Sequence, residues 1–310
     1  MIAGNSEWSA KGIEAALKDK VYPDARDWLK FIKWSFLALG ITLTLSGIVF
    51  FFAYNWDYLH KFFKMSLIGA GLAFLVALTV TPRLNRHIRK AALTAASVMV
   101  GVLFAVYGQI YQTGANAFDF FLAWALFTAV WVAVSRFPVL WLLYFILLNT
   151  TWFLYVGQVA PGRMSGYGLV IAAAFNLCFL AAVHARPRFF DSYRSGPEWL
   201  AYCISVASPA IAVISFGNAL ADPGQWIRLS VASLLIAAFC IFLFNKGMQT
   251  RKLFYISLVC VVLLFTGMLL VEKLIEGRNA LLIDILFVAG GLYGMVSYLL
   301  RLNKSWRNDA

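Results

Sequence analysis

The sequence predicts an all-α, polytopic integral membrane protein, and three observations carry that expectation. Of the 310 residues, 62% are apolar and only 13% charged, with a mean hydropathy of +0.78. A soluble domain has about 45–50% and about 25%. The apolar residues fall into ten runs of membrane-spanning length, and Lys and Arg collect in alternate loops. Together these exclude a soluble enzyme, a secreted disulfide scaffold, a collagen-like fibre and a disordered chain.

A helix needs about 20 apolar residues to cross the hydrocarbon of a bilayer. The ten runs are 34–54, 65–81, 91–110, 118–135, 138–156, 167–183, 199–220, 226–244, 253–271 and 279–300. Stretches such as Ile48 to Ala53 and Val261 to Phe265 do not alternate apolar with polar residues. A spanning barrel requires that alternation, so the runs read as helices. Residues 1–33 are polar and charged, with no cleavable signal peptide among them. The chain thus divides into a cytoplasmic or interfacial segment (1–33), spans one to five (34–156), and spans six to ten with a short tail (157–310).

Orientation follows from the basic residues. With the N-terminus inside, the segments 1–33, 82–90, 136–137, 184–198, 245–252 and 301–310 hold 20 Lys and Arg, against six on the other side. Cytoplasmic loops carry such an excess. Both termini then lie in the cytoplasm, and the net charge of +12 is a topology signal with an attraction to anionic lipid. The basic residues are spread over six segments and form no single patch, so no nucleic-acid partner is expected. Trp34, Trp56, Trp199 and Trp226 mark span ends, where amphipathic rings settle. Trp124, Trp131, Trp141 and Trp152 read as packing bulk or as walls of an apolar pocket.

The cysteines, Cys178, Cys203, Cys240 and Cys260, lie inside apolar runs, and no disulfide is expected. His60, His87 and His184 are read as loop residues without metal-ligand spacing, so no metal or cofactor is expected. Ser9 is placed to cap a short helix with Ile13, Ala16 and Leu17 on one face. After Pro23, residues Trp28, Leu29, Phe31 and Ile32 alternate with Arg26, Lys30 and Lys33 as an interfacial helix running into span one. That segment is either an anchor or a docking surface for a cytoplasmic partner.

Two outer turns are richer in polar groups than topology requires. One contains Tyr54, Asn55 and Asp57; the other contains Gln109, Tyr111, Gln112, Asn116 and Asp119. Tyr107 and Tyr111 are four residues apart and share a helical face. The two turns are either interface anchors and helix ends or the lining of a vestibule. Asp284 is the one carboxylate well inside a span, about 6 Å from its outer boundary. An acid there is expensive and is a functional candidate by default, with Gln109 or Asn149 as candidate partners. Asn149, Thr150, Thr151 and Asn176 read as interhelical hydrogen-bonding groups. Pro209 predicts a kink in span seven. Gly290 with Gly294, and Gly101 with Ala105, are small pairs suited to close helix packing. No Walker loop, zincin helix, nucleophile elbow or pair of intramembrane aspartates is present.

The turn Asn55-Trp56-Asp57 after Phe51-Phe52-Ala53-Tyr54, then Tyr107-Gly108-Gln109-Ile110-Tyr111-Gln112-Thr113-Gly114-Ala115 and Trp124-Ala125-Leu126, resemble the membrane-protein family called domain of unknown function 2157. Trp8 with Gly12 and Ile13 is similar to that family's short leading helix. The resemblance covers roughly residues 5–150 and implies a bacterial inner-membrane protein, but no mechanism. The residues favour a non-enzymatic protein that binds or moves a small amphipathic or lipid-like ligand. Its site would be an outward-facing vestibule of spans one to four, lined by Tyr54, Asn55, Asp57, Gln109, Tyr111, Gln112, Asn116, Asp119 and Asp284. The alternatives are a 5+5 inverted-repeat transporter and an assembly subunit with partners at the N-terminal helix or outer turns.

Overall fold

The computed structural model describes residues 25–111, 114–160, 162, 166–190, 198–222, 224–275 and 280–308. These form ten long helices, with no strand among the described residues. The helices are α1 (Ala25–Asn55), α2 (Lys61–Val80), α3 (Arg86–Tyr111), α4 (Ala117–Ser135) and α5 (Pro138–Gln158). They continue as α6 (Gly168–Ala185), α7 (Trp199–Ala221), α8 (Trp226–Thr250), α9 (Leu253–Leu274) and α10 (Ala280–Asn308). A 3₁₀ turn (Trp56–Tyr58) follows α1, and a four-residue helical turn (Pro187–Phe190) follows α6. Among the described residues α2 to α10 are long and apolar enough to cross a bilayer. The chain is therefore an all-α, multi-pass membrane protein.

Each helix matches the apolar run that predicts it to within a residue or extends beyond it. α3 starts at Arg86, α8 reaches Thr250 and α10 reaches Asn308. An apolar run marks only the hydrocarbon. The backbone ladder continues into the interface, where long basic side chains reach water. The same overrun corrects two expectations: His87 and His184 belong to helix ends and not to loops.

The chain forms two compact units, Met1–Lys64 and Met65–Ala310. In the first, α1 is continuous for 31 residues, roughly 46 Å at 1.5 Å per residue. That exceeds the hydrocarbon thickness of about 30 Å. The lead-in from Trp28 to Lys33 thus joins the uncharged run 34–54 without a break. The cap expected at Ser9 and its short helix lie outside the described residues.

In the second unit α7 is the hub, packed on α5, α6, α8 and α9. The reason is legible in its composition. Ser205, Ser208, Ala212, Ser215 and Ala219 recur at helical spacing on one buried face, and small side chains admit close neighbours. Pro209 is buried within this helix, which continues through it. Around α7 the core is filled by Leu180, Ile204, Phe239, Leu243 and Tyr255. Large apolar residues such as Leu126, Phe127, Val134, Leu234 and Leu286 point outward. In water such a surface would aggregate; in a bilayer it is the lipid-facing side.

The four described cysteines are free. Gly101 receives the ring of Trp124, which a Cβ would meet at 2.6 Å. Trp124 Nε1 donates to the Ser97 carbonyl at 2.6 Å, tying α4 to α3. Gly290 and Gly294 face open space, contrary to expectation. The close approach of α9 and α10 falls instead at Gly267 against Phe287 and Gly291 against Leu264. Spacing alone cannot say which face of a glycine-rich helix meets a neighbour.

Asn149 on α5 and Asn176 on α6 exchange two side-chain hydrogen bonds, at 3.1 and 3.0 Å. Asn149 also donates to the Phe145 carbonyl at 2.9 Å. The pair acts as interhelical glue, and Asn149 is not the partner of Asp284. Asn149→Leu leaves the buried Asn176 amide unpaired, at a cost of about 1–3 kcal/mol, whereas after Asn176→Leu the half-buried Asn149 keeps its bond to the Phe145 carbonyl and the cost is smaller. The double variant removes both polar groups and is expected to recover part of that loss. Thermal melting of the purified protein and its three variants in detergent reads this cycle.

Candidate functional site

The helices of the second unit run up and down, so alternate connections meet at one end. At this end lie Lys90, Arg136, His184, Arg186, Glu198, Lys246, Arg251 and Lys252. Lys90, itself buried, donates to the Arg136 carbonyl at 3.5 Å and sits 5.4 Å from the centre of the Phe137 ring. Within this unit Lys90, Arg136, Arg186, Lys246 and Lys252, all in segments counted as inner, therefore lie at one basic end.

A cavity of about 190 Å³ opens there, between the ends of α5 to α9. Its apolar lining includes Pro138, Val183, Phe190, Leu200 and Ala201. Its polar lining is His184, Glu198, Lys246, Thr250 and Tyr255. Both histidine nitrogens are engaged. Nδ1 lies 2.9 Å from the Leu180 carbonyl, and Nε2 lies 3.3 Å from the Tyr255 hydroxyl. A carbonyl can only accept, so Nδ1 carries the hydrogen. In the neutral ring Nε2 is then the acceptor of the Tyr255 hydroxyl, which gives this buried tyrosine its partner. Thr250 Oγ1 donates to the Lys246 carbonyl at 2.7 Å and fixes the last turn of α8.

Beside the cavity, Lys252 forms an ion pair with Glu198, and Tyr202 donates to the same carboxylate oxygen at 3.1 Å. Lys252 Nζ also lies 5.8 Å from the Tyr202 ring centre. These bonds join the starts of α7 and α9. The ammonium hydrogen-bonded to Glu198 holds its carboxyl below the usual carboxylate range, and the tyrosine hydroxyl acts in the same direction. Lys252 is raised, first by its bond to Glu198. Lys246 has no ion-pair partner among the described residues. With Lys246, Lys252 and Glu198 charged, the mouth carries a net positive charge.

Two further concavities are present, the first beside this one and the second further along α5 and α6. An open cleft of about 440 Å³ is lined by Arg136, Ala185, Arg186, Pro187 and Phe189. A nearly all-apolar groove between α5 and α6 is lined by Leu148, Asn149, Trp152, Ile171, Ala172 and Phe175. No group of His, Cys, Asp or Glu among the described residues is placed to hold a metal ion.

The residues expected to line an outer vestibule are distributed as follows. Tyr54 is exposed on the last turn of α1, Asn55 ends that helix, and Asp57 is exposed in the 3₁₀ turn. In the second unit Gln109 and Tyr111 are exposed on the last turn of α3, with the Tyr107 and Tyr111 rings 4.7 Å apart. Gln112 lies outside the described residues. Asn116 and Asp119 are exposed and act on the backbone: the Asp119 carboxylate accepts the Asn116 N–H at 3.0 Å, capping α4. Asp284 is half-buried in α10, and its Oδ1 has no partner among the described residues.

Sequence reasoning passed over the cavity at the basic end. Its polar residues come from segments 184–198 and 245–252, whose charges were read only as topology. His184 and Tyr255 are 71 positions apart. The available signal was a histidine and a glutamate placed among Lys and Arg in those two segments. An opposite charge within a positive-inside loop is not required by orientation.

Residues 10–141 match a family model described as Predicted membrane protein (DUF2157). The match covers a segment of the chain and ends before α6, so the cavity lies largely outside it. No curated protein and no solved structure matches the chain.

The Glu198–Lys252 pair has a defined pH window. A lowered carboxyl contributes stability above its unfolded pKa of about 4.3 and loses it as pH falls through its folded value. A raised lysine contributes below about 10.4 and loses it as pH rises further. Stabilisation is therefore full at neutral pH. Because both side chains are partly exposed, Lys252→Gln is expected to cost under about 1 kcal/mol at pH 7. The cost should shrink below pH 4, as read by thermal melting of wild type and variant across pH.

Proposed function

We propose that this chain is a non-enzymatic protein of a bacterial inner membrane that binds a small amphipathic anion in the cavity at its basic end. One observation carries this reading. A single cavity lined by Pro138, Val183, Phe190, Leu200 and Ala201 also holds Lys246, which forms no direct ion pair among the described residues although its charge reaches Glu198. Few polar groups among apolar walls is the composition of a ligand site. A volume of about 190 Å³ equals roughly six water molecules at about 30 Å³ each. That admits a short carboxylate or the head of a longer amphipath. Lys246 would hold the anionic head, Thr250 and the His184–Tyr255 pair would order its surroundings, and the apolar wall would take the tail. Binding, not turnover, fits the chemistry: both nitrogens of His184 are committed to fixed partners. By the basic-loop count this mouth faces the cytoplasm.

An outward polar site is a second reading, favoured by the exposed Tyr107–Tyr111 pair at the other end of α3. There an amphipathic or lipid-like ligand would be recognised by hydroxyls and amides. Tyr111→Ala and Gln109→Ala should then preserve membrane insertion and remove stabilisation by an added amphipath such as octyl glucoside. Unchanged stabilisation in both variants excludes it.

For the first reading the probe is octanoate, with melting followed in a neutral detergent. Octanoate is expected to raise the melting temperature of wild type and of Lys304→Gln, a control on the exposed end of α10. It should leave Lys246→Gln unchanged. An equal rise in Lys246→Gln removes the cavity as the site.

A further inference from the structure

We propose that the cleft between Arg136 and Arg186 is a binding site for the phosphodiester of an anionic phospholipid. The two exposed arginines line one open cleft of about 440 Å³ together with Ala185, Pro187 and Phe189. Neither has an ion-pair partner among the described residues. Lys90 donates to the Arg136 carbonyl and brings a third cation to this corner.

Each arginine is held by backbone, which fixes the spacing of the cleft. Arg136 caps α4 in the left-handed conformation, with φ 47°. Arg186 caps α6, its N–H donating to the Ala182 carbonyl at 2.9 Å and its own carbonyl accepting the Phe189 N–H at 2.9 Å. Phe189 packs on Trp141 at 5.5 Å and on Phe190 at 5.4 Å. The floor is therefore a fixed aromatic surface and not a free side chain.

Both arginines stand at helix C-termini, where the backbone carries about half a negative charge. Two full positive charges outweigh that, and planar guanidiniums suit phosphate oxygens through paired hydrogen bonds. Basic clefts between spanning helices at the cytoplasmic face take anionic lipid heads in this manner. The lipid is favoured over free phosphate because the cleft places Ala185, Pro187 and Phe189 beside the two charges. It also lies at the end of α4, whose Val130 and Val134 face outward where acyl chains run.

The test is the melting temperature of the whole protein in neutral detergent with dioleoyl phosphatidylglycerol, dioleoyl phosphatidylcholine or inorganic phosphate. Phosphatidylglycerol should stabilise wild type at low molar ratio; the other two should not. Arg136→Gln and Arg186→Gln should each weaken the apparent affinity about tenfold. Arg251→Gln removes a charge at the same end, from a residue with φ 51° that does not line the cleft, and should keep wild-type affinity. Equal losses in all three variants would mean diffuse attraction to basic residues and overturn the proposal, as would equal stabilisation by phosphatidylcholine. Stabilisation by phosphate alone would assign the cleft to a soluble anion instead. If Arg136→Gln fails to fold, Arg186→Gln decides by itself. The octanoate response should survive in the cleft variants, and the lipid response in Lys246→Gln, so the two sites fail or stand separately.

Discussion

Hydrocarbon offers no hydrogen bonds, and the rest of this structure follows from that. Each buried backbone group must be satisfied within its own segment, so the spans are helices. Side chains face the same restriction. Along the spans, buried hydroxyls such as Ser97, Thr128 and Thr151 return to a carbonyl four residues back. The two amides deep in the second unit pair with each other. Among the described residues the exceptions are Trp141 Nε1, the hydroxyls of Ser205, Ser208 and Ser215, and Asp284 Oδ1, which are buried without a partner. The cavity and the cleft lie where the helices reach the interface.

The basic end performs more than one task with the same charges. A positive excess orients the chain during insertion. Once the helices are packed, the connections that carry that excess are brought side by side. Lys252 is then neutralised by Glu198, while Lys246, Arg136 and Arg186 have no carboxylate partner among the described residues. The same basic residues thus line both of the proposed binding sites. α7 makes this geometry, because its small-residue face draws α6 close and seats α5, α8 and α9 around it.

The helices were legible in the sequence because uninterrupted apolar length is a direct physical requirement of the bilayer. Trp199 and Trp226 open α7 and α8 as their amphipathic rings suggest. Which faces meet was far less legible. Gly290 and Gly294 had the right spacing but look into open space, whereas Gly291 and Gly267 receive side chains. Asn149 was offered as a partner for Asp284 and is engaged by Asn176. Both depend on helix rotation, which hydropathy does not encode. The cavity was missed for a related reason. Its lining comes from five helices and its polar residues from segments far apart in the chain. A local reading favours polar turns that are contiguous, such as Tyr107 to Asp119. Within that turn Asn116 and Asp119 serve the backbone of α4.

The central claim is that the basic end, with its cavity, faces the cytoplasm of a multi-pass protein. Single cysteines at Val159 and Arg251, in a chain whose four native cysteines are changed to serine, place the two ends directly. With a membrane-impermeant maleimide, Val159→Cys should label on intact cells and Arg251→Cys only after permeabilisation. Labelling of Arg251→Cys from outside, with Val159→Cys protected, would contradict both the orientation and the cytoplasmic mouth.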